Sequence, residues 1–292
     1  MNSAGKICLC VGMSLRKEFT SIRVLTVYII CFIFHYYTFD SIPLICEYLE
    51  ITVSPWVFPF FLGSPTLFII YGALAILLFC KAPFWDRQSP FVMIRVGKRN
   101  WIIGQVITIL VSSFIYTLWN CACSLLIISP CVAYEAEWGQ ALYTIASSPE
   151  VFRLAGANQA FAPYAAIMEL ISPKLAMATA IAVFWLCAAM CGMIILCFHI
   201  HFGKMSGISI CGALTSFAYF SCYLGRLSYG EWMYCISPVN WSCISYLDWF
   251  DIGTSQKPQG AVLIYVIVIV CLAAAGCCGF CKKDIMLTDG GM

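Results

Sequence analysis

Residues 175–203 read LAMATAIAVFWLCAAMCGMIILCFHIHFG and contain no Asp, Glu, Lys or Arg. A helix needs about 20 apolar residues to span the hydrocarbon core of a bilayer, and this run exceeds that length. Only helices and closed barrels satisfy every backbone group in lipid, and barrel strands alternate polar with apolar side chains. This run does not alternate, so it reads as a transmembrane helix.

Five more charge-free windows flank it, at 24–39, 56–80, 101–134, 205–225 and 258–281. The first is short by itself, but Ser21, Ile22 and a snorkelling Arg23 extend it. Hydrophobic residues make up 62% of the chain and charged residues 10%, whereas an ordinary soluble domain is about one-quarter charged. A soluble protein with buried core helices would need polar outer elements that this chain lacks. The fold class expected is all-α: a single polytopic membrane domain, residues 1–292, with six transmembrane helices. Residues 232–247, WMYCISPVNWSCISYL, place Pro238 and Asn240 mid-run. Proline breaks the helical hydrogen-bond ladder, so two short interfacial or re-entrant helices are expected before the last span. Residues 154–168, with Gly156, Asn158 and Pro163, are likewise too broken to cross.

Basic residues set the orientation. Six spans put both termini on one side, together with residues 81–100 and Lys204. That side holds 12 of the 16 basic residues, leaving Arg153, Lys174, Arg226 and Lys257 for the other. Positive residues stay in the cytoplasm. Both termini are therefore expected to be cytoplasmic, with 133–173 and 226–257 as extracytoplasmic segments. Arg16, Lys17 and Glu18 interrupt the N-terminus, which argues against a cleavable signal. Ile7, Val11, Leu15, Phe19 and Ile22 form one helical stripe, as expected of an interfacial helix over residues 1–20.

Chemistry-bearing motifs are sparse. Most of the 19 cysteines fall inside predicted spans, where cysteine acts as a small hydrophobe. Cys277, Cys278 and Cys281 lack a second ligand pair for a metal. Cys46, Cys131, Cys222, Cys235 and Cys243 lie near the outer side, where a pairing such as Cys222 with Cys235 is an open alternative. His199 and His201 are two residues apart and so point to different helix faces. No phosphate-cradling Gly-rich loop with Lys-Ser/Thr is present. The spans carry no Asp, Glu, Lys or Arg for ion coupling. Gln105, Thr117 and Asn120 of the third span suit helix joining better than ion binding. The net charge of +2 implies no nucleic-acid partner.

Between the second and third windows the chain reads KAPFWDRQSPFVMIRVGKRNWIIGQ, residues 81–105. Asp86 and Arg87 precede an apolar turn, 91–94, and then Arg95, Gly97, Lys98, Arg99 and Trp101 lead into the third span. This layout resembles the membrane-spanning permease subunit of ABC transporters of the type 2 exporter class, in which a short cytoplasmic coupling helix occupies this loop. The family often has Glu and a Gly-Thr pair where this chain has Asp86, Arg87 and Gln88.

The resemblance implies a cell-membrane exporter permease that pairs with a second permease subunit and docks cytoplasmic ABC ATPase subunits. The partner ATPases would bind ATP and Mg, leaving no cofactor, metal or catalytic residue in this chain. Residues 81–100 would form the cytoplasmic coupling loop, with Asp86, Arg87, Phe91, Ile94 and Arg95 as the ATPase-coupling surface. The charge-free spans favour amphipathic cargo: a peptide, drug or lipid-like molecule. Tyr234, Trp241 and Tyr246 are candidates for an outer gate, or equally for interfacial anchors. The alternative function is a non-catalytic structural or channel-like subunit of a membrane complex.

Overall fold

A computed structural model describes residues 2–85, 88–203, 205–253 and 255–282. Helices α1 (Ser3–Phe19), α2 (Ile22–Phe39) and α3 (Ser41–Leu49) are followed by α4 (Pro65–Phe79), α5 (Ser89–Val96) and α6 (Lys98–Ile128). Short helices α7 (Gln140–Ser147), α8 (Glu150–Leu154) and α9 (Ala165–Leu170) lead to α10 (Pro173–Phe202) and α11 (Ser206–Phe220). The last described elements are α12 (Arg226–Tyr229), α13 (Met233–Ile236) and α14 (Pro258–Lys282). Among the described residues no strand forms beyond one isolated bridge, Val53 to Val132.

Among the described residues, five helical stretches are long and apolar enough to cross a membrane: Ile22–Leu49, Lys98–Ile128, Pro173–Phe202, Ser206–Tyr229 and Pro258–Lys282. The expected second span differs. Its helix, α4, has 15 residues, which at 1.5 Å per residue covers only about 22 Å. Pro59, Gly63 and Pro65 break the front of the 56–80 window, and Phe58–Phe60 coils into a short 3-10 turn instead.

Helix α10 is buried over most of its length and contacts α4, α6, α11 and α14. A helix that is apolar on every face belongs in such a position. Its small residues let neighbours approach closely, as is usual in membrane bundles. Helices α10 and α11 meet backbone to backbone, where a Cβ on Gly207 would lie 2.6 Å from the Ile195 Cα. Gly203, at φ 98°, ends α10, and the Ser206 hydroxyl donates to the carbonyls of Phe198 and Gly203 across this hairpin.

Peripheral helices keep an apolar outer face. On α2, Val24, Val27, Cys31 and His35 are buried while Leu25, Ile29, Ile33 and Tyr36 are exposed. On α14, Leu263, Val266, Ile267 and Val270 are exposed in the same way. Contiguous stripes of this kind suit lipid as the surrounding solvent.

One end of the bundle gathers the basic residues. Lys98 donates to the Cys281 carbonyl at 3.2 Å and lies over the Phe280 ring. Trp101 stacks on Phe280, and the Phe84 N–H donates to Gln105 Oε1 at 3.0 Å. Helix α1 packs along the first turns of α6 at this end. Ser3 meets Asn100, Gln105 Nε2 donates to the Ser14 hydroxyl, and the Ser112 hydroxyl donates to Glu18. The contact face of α1 is carried by Cys10, Ser14 and Glu18, while the apolar stripe stays half-buried or exposed.

All nineteen cysteines are free thiols. Cys222 is buried, Cys235 is exposed, and the two are not joined in this structure.

Candidate functional site

Helix α5 sits between α4 and α6 at the basic end. Pro90 stands in its first turn, where the missing N–H is harmless. Gly97, at φ 90°, ends it by donating its N–H to the Met93 carbonyl at 2.8 Å, and α6 starts at the next residue. Ser89, Met93 and Val96, spaced four and three apart, form the buried face. That leaves Phe91, Ile94 and Arg95 together on the other face, with Phe91 69% and Ile94 80% exposed. Two large apolar side chains and one cation thus share an outward surface that the described residues do not cover. Asp86 and Arg87 lie outside the described residues.

Of the candidate gate residues, Tyr234 and Trp241 are buried and Tyr246 is half-buried. Tyr234 and Tyr246 meet at 4.8 Å between ring centroids, with Phe68 5.5 Å from Tyr246. Arg226 lies 5.8 Å over the Tyr234 ring. Trp241 is separate, 5.8 Å edge-on to Tyr265 of α14, whose hydroxyl donates to the Pro238 carbonyl. Beneath them α11 widens into a π turn, Ser221–Gly225, and the Asn240 amide donates to the Ser221 hydroxyl at 2.7 Å. π turns often mark functional positions in helices.

Asp248 organises the return loop by accepting the N–H groups of Phe250, Ile252 and Gly253. Desolvation pushes its carboxyl up, but those three donors and the Lys257 charge outweigh it and hold it below the usual carboxylate range.

A polar stripe runs along the buried face of α6: Gln105, Thr108, Ser112, Ser113, Thr117, Asn120 and Ser124. Gln105 joins three elements, as expected of a helix-joining residue. Thr117 and Asn120 instead bond back to carbonyls of α6 itself, those of Ser113 and Tyr116. Against the same helix, Tyr71 and His35 share a hydrogen bond in the interior. His199 and His201 diverge as their spacing requires, to the Ala82 and Cys197 carbonyls. Among the described residues, no group of three or more His, Cys, Asp or Glu is arranged to hold a metal.

The buried carboxyl of Glu18 was not evident from the charge pattern. Its signal was the small-polar stripe Cys10, Ser14 and Glu18, spaced four apart beside the apolar one. No family model, curated protein or solved structure matches this chain.

Proposed function

We propose that the chain is the permease subunit of an ATP-driven exporter for amphipathic cargo, with a separate ATPase docked on α5. The observation that carries the reading is the outward face of Phe91, Ile94 and Arg95, on a short helix at the basic end. A cytoplasmic partner that covers this face would gain the burial of both apolar side chains, about 1.5–3 kcal/mol for each if fully covered. Helix α5 also contacts α1 and α6, so a push on it reaches two long elements at once.

In this reading α4 completes a sixth span with the packed segment before it, and both termini are cytoplasmic. The broken segment 232–247 re-enters the outer interface of the cell membrane. A second permease subunit would pair with this one. Opening an outer gate would separate Tyr234 from Tyr246 and loosen the π turn beneath them. ATP binding could drive that only through differential affinity for two states.

The test places a photo-crosslinking residue at position 94, and separately at position 91, in native membranes. Crosslinks to a subunit bearing a phosphate-binding loop are expected at both positions. Crosslinks to lipid alone, or to a partner without such a loop, would contradict the reading.

A further inference from the structure

A cavity of about 240 Å³ lies where α1, the start of α2, the segment after α4 and α5 meet. Two charged groups in its wall lack partners on one side. Glu18 is 4% exposed; its Oε2 accepts from Ser112 at 2.7 Å, and its Oε1 accepts from nothing. Arg23 donates from Nη1 to Cys80 Sγ at 3.0 Å, while its buried Nε–H has no acceptor. The carboxyl and the guanidinium form no ion pair with each other. A carboxyl oxygen and a guanidinium N–H, both buried without partners in residues that line one cavity, each carry a desolvation cost that a ligand reaching them would relieve.

The rest of the wall narrows the ligand. Lys17 and Lys81 bring further positive charge, and Trp85 and Trp101 meet edge to face at 5.6 Å. Phosphate oxygens accept from guanidinium and ammonium groups, and an ammonium donates to a carboxylate. Basic pockets between membrane helices bind lipid headgroups on these terms. Trp85, 47% exposed, brings an aromatic ring to the surface beside the cavity, which suits the amphipathic region where a headgroup joins its chains.

We propose that this cavity binds the headgroup of a phospholipid bearing a primary ammonium, with the phosphate on Arg23 and Lys81 and the ammonium on Glu18. The assignment stands apart from the exporter reading and uses no residue of the α5 outward face.

The experiment is native mass spectrometry of the full chain in detergent, offered equimolar phosphatidylethanolamine, phosphatidylcholine and phosphatidylglycerol. Soluble glycerophosphoethanolamine serves as competitor. Phosphatidylethanolamine should be retained at least tenfold over both other lipids, and the soluble headgroup should displace less than a tenth of it. Glu18→Gln should bring phosphatidylethanolamine to within threefold of phosphatidylcholine. Lys81→Gln, at an exposed position, should weaken phosphatidylethanolamine and phosphatidylglycerol alike by severalfold. Equal retention of phosphatidylethanolamine and phosphatidylcholine by the wild-type chain would overturn the ammonium site, as would a preference for phosphatidylglycerol. Full displacement by the soluble headgroup would overturn the assignment to lipid. The wild-type comparison and Lys81→Gln decide the matter even where Glu18→Gln fails to fold.

Discussion

Replacing Glu18 by glutamine should stabilise the protein at pH 8 by far more than at pH 5, where the gain should stay under about 1 kcal/mol. Burial is the main cause that raises the Glu18 carboxyl, from 4.5 to about 7; the Ser112 hydrogen bond and the Arg23 charge oppose it without cancelling it. A folded-state pKa above the unfolded one means that the folded state binds more protons between the two values. Stability is therefore fully present below about 4.5 and is lost as pH rises through about 7. Completed by pH 8, that loss is about 3 kcal/mol. Glutamine cannot ionise and still accepts from the Ser112 hydroxyl, so the variant avoids the loss.

The assay is thermal unfolding followed by tryptophan fluorescence in a maltoside detergent free of phospholipid, at pH 5, 6, 7 and 8. Lys17, Arg23 and Lys81 share the cavity with Glu18, and subtracting the variant's pH profile from the wild-type profile removes every titration but that of Glu18. The wild-type melting temperature should fall across this range relative to the variant. Parallel profiles, or a variant less stable at pH 8, would refute the buried-carboxyl reasoning.

Other outcomes follow from the same structure. Gly207→Ala forces a Cβ against the Ile195 backbone, which has no flexible side chain to yield; the resulting overpacking should cost about 1–3 kcal/mol and lower the melting temperature. Phe91→Asp and Ile94→Asp remove exposed side chains, so melting should stay within about 0.5 kcal/mol of wild type while export is lost. Loss of stability at either position would show that the face is structural. In a cysteine-depleted background, Tyr134→Cys and Tyr229→Cys should react with an impermeant thiol reagent added to intact cells, and Ile94→Cys should not. Labelling at position 94 would reverse the orientation.

Much of the architecture was legible because charge is so costly in hydrocarbon that its absence marks a span. The 175–203 and 258–281 windows match Pro173–Phe202 and Pro258–Lys282 closely. Local chemistry decided the exceptions. In the 56–80 window, hydropathy counts every apolar residue equally, but two prolines and Gly63 stop the backbone from being helical before Pro65. Residues 205–225 extend further than their charge-free run, because the π turn carries the helix past Gly225 into Arg226–Tyr229.

Candidate site residues were harder to place. The outward set of Phe91, Ile94 and Arg95 follows from helical spacing. The packing of Tyr234 on Tyr246 depends on the two 3-10 turns between them, Pro238–Ser242 and Ile244–Tyr246, that no periodicity encodes. Glu18 stayed hidden for a related reason: a lone acid among basic residues reads as solvated until its partner, 94 positions away, is known.

ATP-driven accumulation in inside-out membrane vesicles tests the exporter reading most directly. Vesicles from cells with and without the chain would be given a fluorescent amphipathic peptide, with ATP or with a non-hydrolysable analogue. Accumulation should require both the chain and hydrolysable ATP, and should disappear with Ile94→Asp. Accumulation that proceeds without ATP, or that is equal in vesicles lacking the chain, would contradict it.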